Sequence, residues 1–313
     1  MIFYEPIIQN LKCDSFYEID VLRLDLIHKE ISGNKWFKLK RNLAKARIEN
    51  HDTVITFGGA FSNHIAATAS ACKQYGLNSV GIVRGEEKDS SNFTLSEAEK
   101  NGMRLEFVSR ELYREKNNES FQKHLQEKFG RHYLIPEGGN NEEGVLGCTE
   151  IIRPDWNYDY IFCACGTATT YAGIVAGKKE SQKIIGISVL KGENKLPEEA
   201  EIILSAISKN EIIGIGGNEV LEKEFVDEDC ILNTYAFKGY AKMDLELIDF
   251  KNEFEAQYKI PLDHIYTTKL FYGVFDLISN NKLRSRSKIL AIHSGGLQGN
   301  KGFEDLYQLT PNL

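Results

Sequence analysis

Short apolar runs alternate along this chain with longer stretches whose apolar residues recur every three or four positions. Residues 53–57, 79–83, 104–108 and 133–135 form one set of short runs, and 160–164, 183–190 and 289–293 form another. Runs of this length bounded by turn residues read as strands, and their alternation with helical patterns predicts parallel sheets flanked by helices. Residues 36–48 predict a helix with Trp36, Phe37, Leu39, Leu43, Ala44 and Ala46 on its apolar side and Lys38, Lys40, Arg41 and Lys45 on its wet side. Several strands end on glycine: Gly58-Gly59, Gly138-Gly139, Gly166 and Gly295-Gly296. Ligands of open α/β sheets bind beyond the carboxyl ends of the strands, so these turns are where chemistry is expected. Two polar stretches, 110–119 and 191–199, read as solvated. Within the second, Pro197, Glu198 and Glu199 suit the first turn of a helix.

Composition narrows the classes. At 313 residues and 42% hydrophobic, the chain is long enough for two α/β domains. A net charge of −7 with no long basic stretch argues against nucleic acid or a membrane surface as a partner. The first ten residues lack a cationic segment followed by an apolar run, and no apolar stretch reaches membrane-spanning length, so a cytoplasmic protein is expected. Six cysteines (Cys13, Cys72, Cys148, Cys163, Cys165 and Cys230) are too sparse for a disulfide framework. Cys163 and Cys165 share one face of a strand and read as buried hydrophobes rather than metal ligands.

Three segments carry candidate chemistry. Gly33-Asn34-Lys35 is a turn running into a helix, and a lysine held partly out of water at the ligand end of a sheet can form a Schiff base. Gly58-Gly59-Ala60-Phe61-Ser62-Asn63-His64 joins a strand to an alanine-rich helix. Ser62 or Asn63 can cap that helix, and the same group of donors can hold a carboxylate. His64 is either a base or a local hydrogen-bonding residue. Gly166-Thr167-Ala168-Thr169-Thr170 leads from a strand into a small-residue helix. Its amides and hydroxyls suit a phosphate, although the same residues make an ordinary strand-to-helix turn. No GKS or GKT ends it, so it is not a Walker loop. A lysine, a Ser-Asn turn and an anion loop in this order are the parts needed to hold pyridoxal phosphate (PLP).

At these residues the chain resembles the fold-type II PLP enzymes, and within them the D-cysteine desulfhydrase and 1-aminocyclopropane-1-carboxylate deaminase family. The resemblance extends to Gly239-Tyr240-Ala241-Lys242, Ile265-Tyr266-Thr267 and His293-Ser294-Gly295-Gly296, and so covers nearly the whole chain. It implies two three-layer α/β domains of the tryptophan synthase β-subunit type, with a cofactor domain from residues 1–45 and 159–313, a small α/β domain from 46–158, and the active site between them. Lys35 would bind PLP, Asn63 its phenolic oxygen, and Gly166, Thr167, Ala168, Thr169 and Thr170 its phosphate. Thr267 and Ser294 would lie near the pyridine nitrogen. Ser62 would take the substrate carboxylate, and Tyr266, supported by Tyr240, would lie near the reacting carbon. The implied partners are a small amino-acid substrate and a second copy of the chain in a homodimer.

The departures from the family pattern are informative. Ala168 and Thr169 stand where glycines are usual, and their side chains are expected to crowd the phosphate or to add hydroxyl contacts. Lys238 replaces a glycine often found there, and Ser294 replaces a threonine. The deaminases typically carry Tyr-Glu where this chain has Tyr266-Thr267, and glutamine at His64. These differences point to β-elimination from D-cysteine. Ring opening of the cyclopropane substrate is the alternative, and a binding protein without turnover, suggested by the altered loop, is a third reading.

Overall fold

The computed structural model describes residues 4–12, 16–85, 92–192, 195–207, 214–242 and 244–309; Cys13 lies outside these. The strands are β1 (Ile8–Leu11), β2 (Glu18–Arg23), β3 (Thr53–Gly58), β4 (Asn78–Arg84), β5 (Met103–Val108), β6 (Tyr133–Ile135), β7 (Tyr160–Cys165), β8 (Lys183–Ser188), β9 (Cys230–Leu232) and β10 (Lys288–His293). The helices are α1 (Asn34–Ile48), α2 (Asn63–Tyr75), α3 (Phe93–Lys100), α4 (Arg110–Arg114), α5 (Glu119–Phe129), α6 (Glu142–Cys148), α7 (Thr169–Gly177), α8 (Leu196–Ile207), α9 (Leu245–Tyr258), α10 (Thr267–Ser279) and α11 (Gly299–Tyr307). Two sheets form. The smaller runs β5-β4-β3-β6, all parallel. The larger runs β1-β2-β10-β7-β8-β9, parallel except for β1 against β2.

The pleat explains the layers, because successive side chains point to opposite faces. Ile289 and Ala291 of β10 join a cluster with Phe254 of α9 and Leu270, Phe271 and Val274 of α10. Leu290 and Ile292 point the other way, into a cluster with residues of α1, α6, α7 and α8. In the smaller sheet Ile55, Phe57, Val80 and Ile82 meet Tyr113, Phe121 and Leu125 from α4 and α5. Val83 and Met103 face α2 and α3. The cluster around Leu290 also takes Val54 of β3, Tyr133 and Ile135 of β6 and Ala67 and Ala71 of α2, so one apolar core runs beneath both sheets.

All seven strands read from the apolar runs are present within two residues of their expected ends. Unforeseen were β1, β2 and β9. β1 and β9 are too short to stand out, and only half of β2, Glu-Ile-Asp-Val-Leu-Arg, is apolar. The helix expected over 36–48 begins at Asn34. Two assignments on it are corrected: Ala44 is exposed, and Lys38 is buried rather than on the wet side, because its side chain reaches between the sheets toward Thr167.

Candidate active site

A cleft of about 690 Å³ opens where the carboxyl ends of β3, β7 and β10 face one another, and Lys35, Ser62, Asn63, Gly166, Tyr240, Tyr266 and Ser294 all line it. Lys35 enters from the first turn of α1. The turn before it requires glycine: Gly33 has φ +72°, and a Cβ there would lie 1.8 Å from the Ser294 carbonyl oxygen. That close approach lets the Asn34 amide donate to the same carbonyl at 3.3 Å, fixing the start of α1 against the end of β10. Asn34, itself buried, donates from Nδ2 to Thr170 Oγ1 at 2.8 Å and accepts from Lys35 Nζ at 2.8 Å. Burial, reinforced by the neighbouring Lys38 charge, pulls the Lys35 pKa down to about 7. Its amine is therefore substantially neutral near neutral pH.

Ser62 is the N-cap of α2, its Oγ accepting from the Ile65 amide at 3.3 Å. Capping uses a lone pair and leaves the hydroxyl proton free to donate into the cleft, so the cap and the carboxylate readings are compatible. Asn63 is oriented by Gln298, whose Nε2 donates to its Oδ1 at 3.1 Å. His64 is buried, and its Nε2 lies 2.9 Å from Thr56 Oγ1. Thr56 gives its proton to the Ile135 carbonyl, so Nε2 carries the imidazole proton and donates to Thr56. Burial and then the charges of Lys35 and Lys38 hold the imidazole well below its ordinary pKa, which makes His64 a neutral local hydrogen-bonding residue.

Tyr240 and Tyr266 meet edge to face with centroids 6.0 Å apart, and Lys35 Nζ lies 5.8 Å from the Tyr266 ring centre. Burial raises both phenol pKa values, Tyr266 the more strongly because Tyr240 beside it adds to the cost of its charge. Both are protonated donors. Thr267 is a different case. Its hydroxyl lies 2.8 Å from the Asp263 carboxylate and accepts from the Asp263 amide at 2.7 Å, and the residue does not line the cleft. Of the two residues expected near the pyridine nitrogen, Ser294 lines the cleft, while the Thr267 hydroxyl bonds to Asp263 at the start of α10.

Gly166, Thr167 and Thr170 line the cleft at the start of α7. Gly166 has no room for a side chain, since a Cβ would lie 2.9 Å from the Tyr266 ring. Neither Ala168 nor Thr169 lines the cleft. Ala168 turns its methyl into the core, and Thr169 Oγ1 donates to Asn140 Oδ1 at 3.0 Å and lies 3.1 Å from Thr167 Oγ1. The amides that open α7 remain without helical acceptors, which makes them anion donors. Beside them Lys38 Nζ donates to Thr167 Oγ1 at 3.2 Å and has no ion-pair partner among the described residues. Burial lowers the Lys38 pKa, and a phosphate beside it would favour its charged form, so this unpaired amine next to orphan amides is a donor set that fits the group.

Sequence reasoning missed Lys38, Asn34, Asp263 and Lys269. Lys38 was findable, because it stands three residues after Lys35 on one helix and shares its face. Asp263 was findable as an acid just before a helix; its carboxylate accepts from the amides of Ile265, Tyr266 and Thr267 at 2.8–2.9 Å. Lys269 is buried and donates at 2.8 Å to the carbonyls of Ala236 and Gly239, which fixes the turn carrying Tyr240. That contact joins distant segments and leaves no local pattern.

Residues 21–295 match the family described as pyridoxal-phosphate dependent enzyme. The chain belongs to that family. It is 33% identical over 92% of its length, and 87% of the relative's, to a Pyrococcus furiosus protein provisionally described as a 1-aminocyclopropane-1-carboxylate deaminase. It is 30% identical to the mitochondrial bifunctional D-cysteine desulfhydrase/1-aminocyclopropane-1-carboxylate deaminase of Arabidopsis thaliana, covering 90% of this chain and 73% of that one. The crystal structure of a deaminase homologue superposes with TM-score 0.81 at 27% identity, covering 99% of this chain and 95% of that one. A hydrogen sulfide-producing enzyme of Fusobacterium nucleatum (TM-score 0.65, 16% identity, 95% and 97% covered) shares the fold. The chain is thus a PLP-dependent lyase of the deaminase and desulfhydrase family with the type II fold. No helix among the described residues is long and apolar enough to cross a membrane.

Proposed function

We propose that this lyase eliminates the β-thiol of D-cysteine, giving pyruvate, sulfide and ammonia with uptake of one water. Bound PLP supplies an electron sink for the charge that develops at Cα. Lys35 holds the cofactor, Asn63 and Ser294 meet its ring, and the opening amides of α7 together with Lys38 and Thr170 hold its phosphate. Ser62 donates to the substrate carboxylate at the N-terminus of α2. Lys35 Nζ accepts the Cα proton, a role that its lowered pKa supports because a base must be deprotonated to act. Tyr266 and Tyr240, both protonated, donate beside the reacting carbon. The observation that carries the choice of substrate is the neutral Ser294 end of the cleft, with Thr267 bonded to Asp263 where the ring-opening enzymes typically place a glutamate.

The second reading, ring opening of 1-aminocyclopropane-1-carboxylate to 2-oxobutanoate and ammonia, is favoured by the name of the Pyrococcus relative. The two are separated by offering both compounds to the PLP-loaded protein and identifying the 2-oxo acid by mass. Pyruvate from D-cysteine alone supports the proposal, whereas 2-oxobutanoate from the cyclopropane would replace it. We also propose a small unit of residues 46–158 inserted into a large unit of 1–45 and 159–313, since all four strands of the smaller sheet fall in the first range and all six of the larger in the second. A cytoplasmic homodimer completes the proposal, and light scattering at several concentrations tests the dimer.

A further inference from the structure

We propose that Arg84 gives this lyase, beside D-cysteine, an added preference for amino acids whose side chain carries an anionic group, such as a carboxylate, sulfonate or phosphate on the β-substituent; the inference rests on the amino-acid lyase reading above. Gly58 pairs with Val83 in the parallel register, so the carboxyl ends of β3 and β4 open side by side and Arg84 emerges next to Gly59. Its Nη2 lies 3.5 Å from the position a Cβ on Gly59 would take, and both residues line the cleft. Arg84 shares the pleat parity of Val80 and Ile82, which face α4 and α5, and its guanidinium lies 5.5 Å from the Tyr113 ring centre. Ser62 belongs to α2, which packs on the opposite face of the same sheet beside Val83. The two polar groups therefore flank the strand ends from different sides. Ser62 serves the α-carboxylate, and Arg84 stands on the other side, near enough for its charge to act on the Tyr240 phenol.

Two carboxylates, Glu137 and Glu199, also line the cleft. Lys116, also over Tyr113, is paired with Glu137 at 3.4 Å. Lys38 faces the phosphate end. Arg84 has no carboxylate partner among the described residues, and its guanidinium lies over the Tyr113 ring at the cleft wall. An arginine presented in this way can bind a planar or tetrahedral anion on a substrate side chain without hindering a thiol in the same place.

Aspartate and asparagine are near-isosteric probes that differ in this charge. Each enantiomer of both would be titrated into the PLP-loaded protein, with the change in cofactor absorbance read as binding. Aspartate should bind about tenfold tighter than asparagine in at least one enantiomeric series, and the preference should weaken with added salt. Arg84→Gln should bring the ratio close to one, and Arg84→Lys should keep part of it. Equal affinities in the unmodified protein, or a ratio untouched by Arg84→Gln, would overturn the inference. A protein that releases pyruvate from D-cysteine but does not distinguish the probes loses this inference and keeps its function. One that responds to no amino acid loses both.

Discussion

The neutrality of Lys35 is the feature on which the site depends most, and it can be measured directly. Its Nζ has Asn34 Oδ1 as a partner at 2.8 Å, and its pKa is held down to about 7 by burial and by Lys38. An ordinary lysine titrates near 10.5. At pH 7 the neutral fraction therefore rises from about one in three thousand to about one half, a gain of roughly three orders of magnitude in reactive amine. Covalent capture of PLP by the cofactor-free protein, followed by absorbance under excess cofactor from pH 6 to 9.5, should accelerate and then level off with a midpoint near 7. Lys38→Met removes the second cause of the shift and should move that midpoint upward, whatever it does to phosphate affinity. A rate still climbing tenfold per pH unit at pH 9 would refute the account of burial. A midpoint unmoved by Lys38→Met would refute the electrostatic part. The same shift has a stability sign. The folded-state pKa is depressed, so the unfolded chain binds more protons between about pH 7 and 10.5. The cofactor-free protein should accordingly gain stability from this group as pH rises through that window, which denaturant titrations of the wild type and Lys35→Met would reveal as a difference that shrinks toward pH 10.5.

Further outcomes follow from named contacts. Gly33→Ala places a Cβ 1.8 Å from the Ser294 carbonyl and should abolish covalent PLP capture while leaving far-ultraviolet circular dichroism close to wild type; normal capture would show that the turn can yield. Asp263→Ala strands three amides and the Thr267 hydroxyl and should cost more than about 3 kcal/mol in urea unfolding. A loss below 1 kcal/mol, within the range of an ordinary surface change, would mean that water satisfies those donors. His64 is already neutral, so His64→Gln should leave the acidic limb of the pH–rate profile where it is; a displaced limb would make the imidazole a titrating participant.

Most of the large architecture was legible because buried parallel strands must be short apolar runs and the crossover helices must be periodic. β7, Tyr-Ile-Phe-Cys-Ala-Cys, could hardly read otherwise. What escaped was set by long-range contacts. β1 and β9 owe their existence to the edges they pair with, since neither Ile-Gln-Asn-Leu nor Cys-Ile-Leu announces a strand alone. At the site, the lysine and the Ser-Asn turn were legible as motifs, yet Lys38 was misread because a lysine on a helix is ordinarily wet. Gly139 and the Thr167 loop, both about a hundred residues or more later, bring it under cover. Thr267 shows a related limit: its family position suggests the cofactor, and only the structure brings the carboxylate of Asp263, four residues earlier, to its hydroxyl.

The order of strands also bears on how the chain is made. β10 is the last strand synthesised, yet it lies inside the larger sheet between β2 and β7. The smaller sheet has all its strands once residue 135 has emerged, whereas the larger cannot close until residue 293 does, a delay of about 10–30 s at ordinary translation rates. From the emergence of β7 at residue 165 until β10 follows, β2 and β7 have no partner on their inner edges, a vacancy that another nascent chain could fill. The segment that ends the wait also carries Ser294, the residue against which Gly33 locks. Completion of the sheet and completion of the cofactor site are therefore one event, and a ribosome-bound intermediate halted before β10 should be unable to capture PLP.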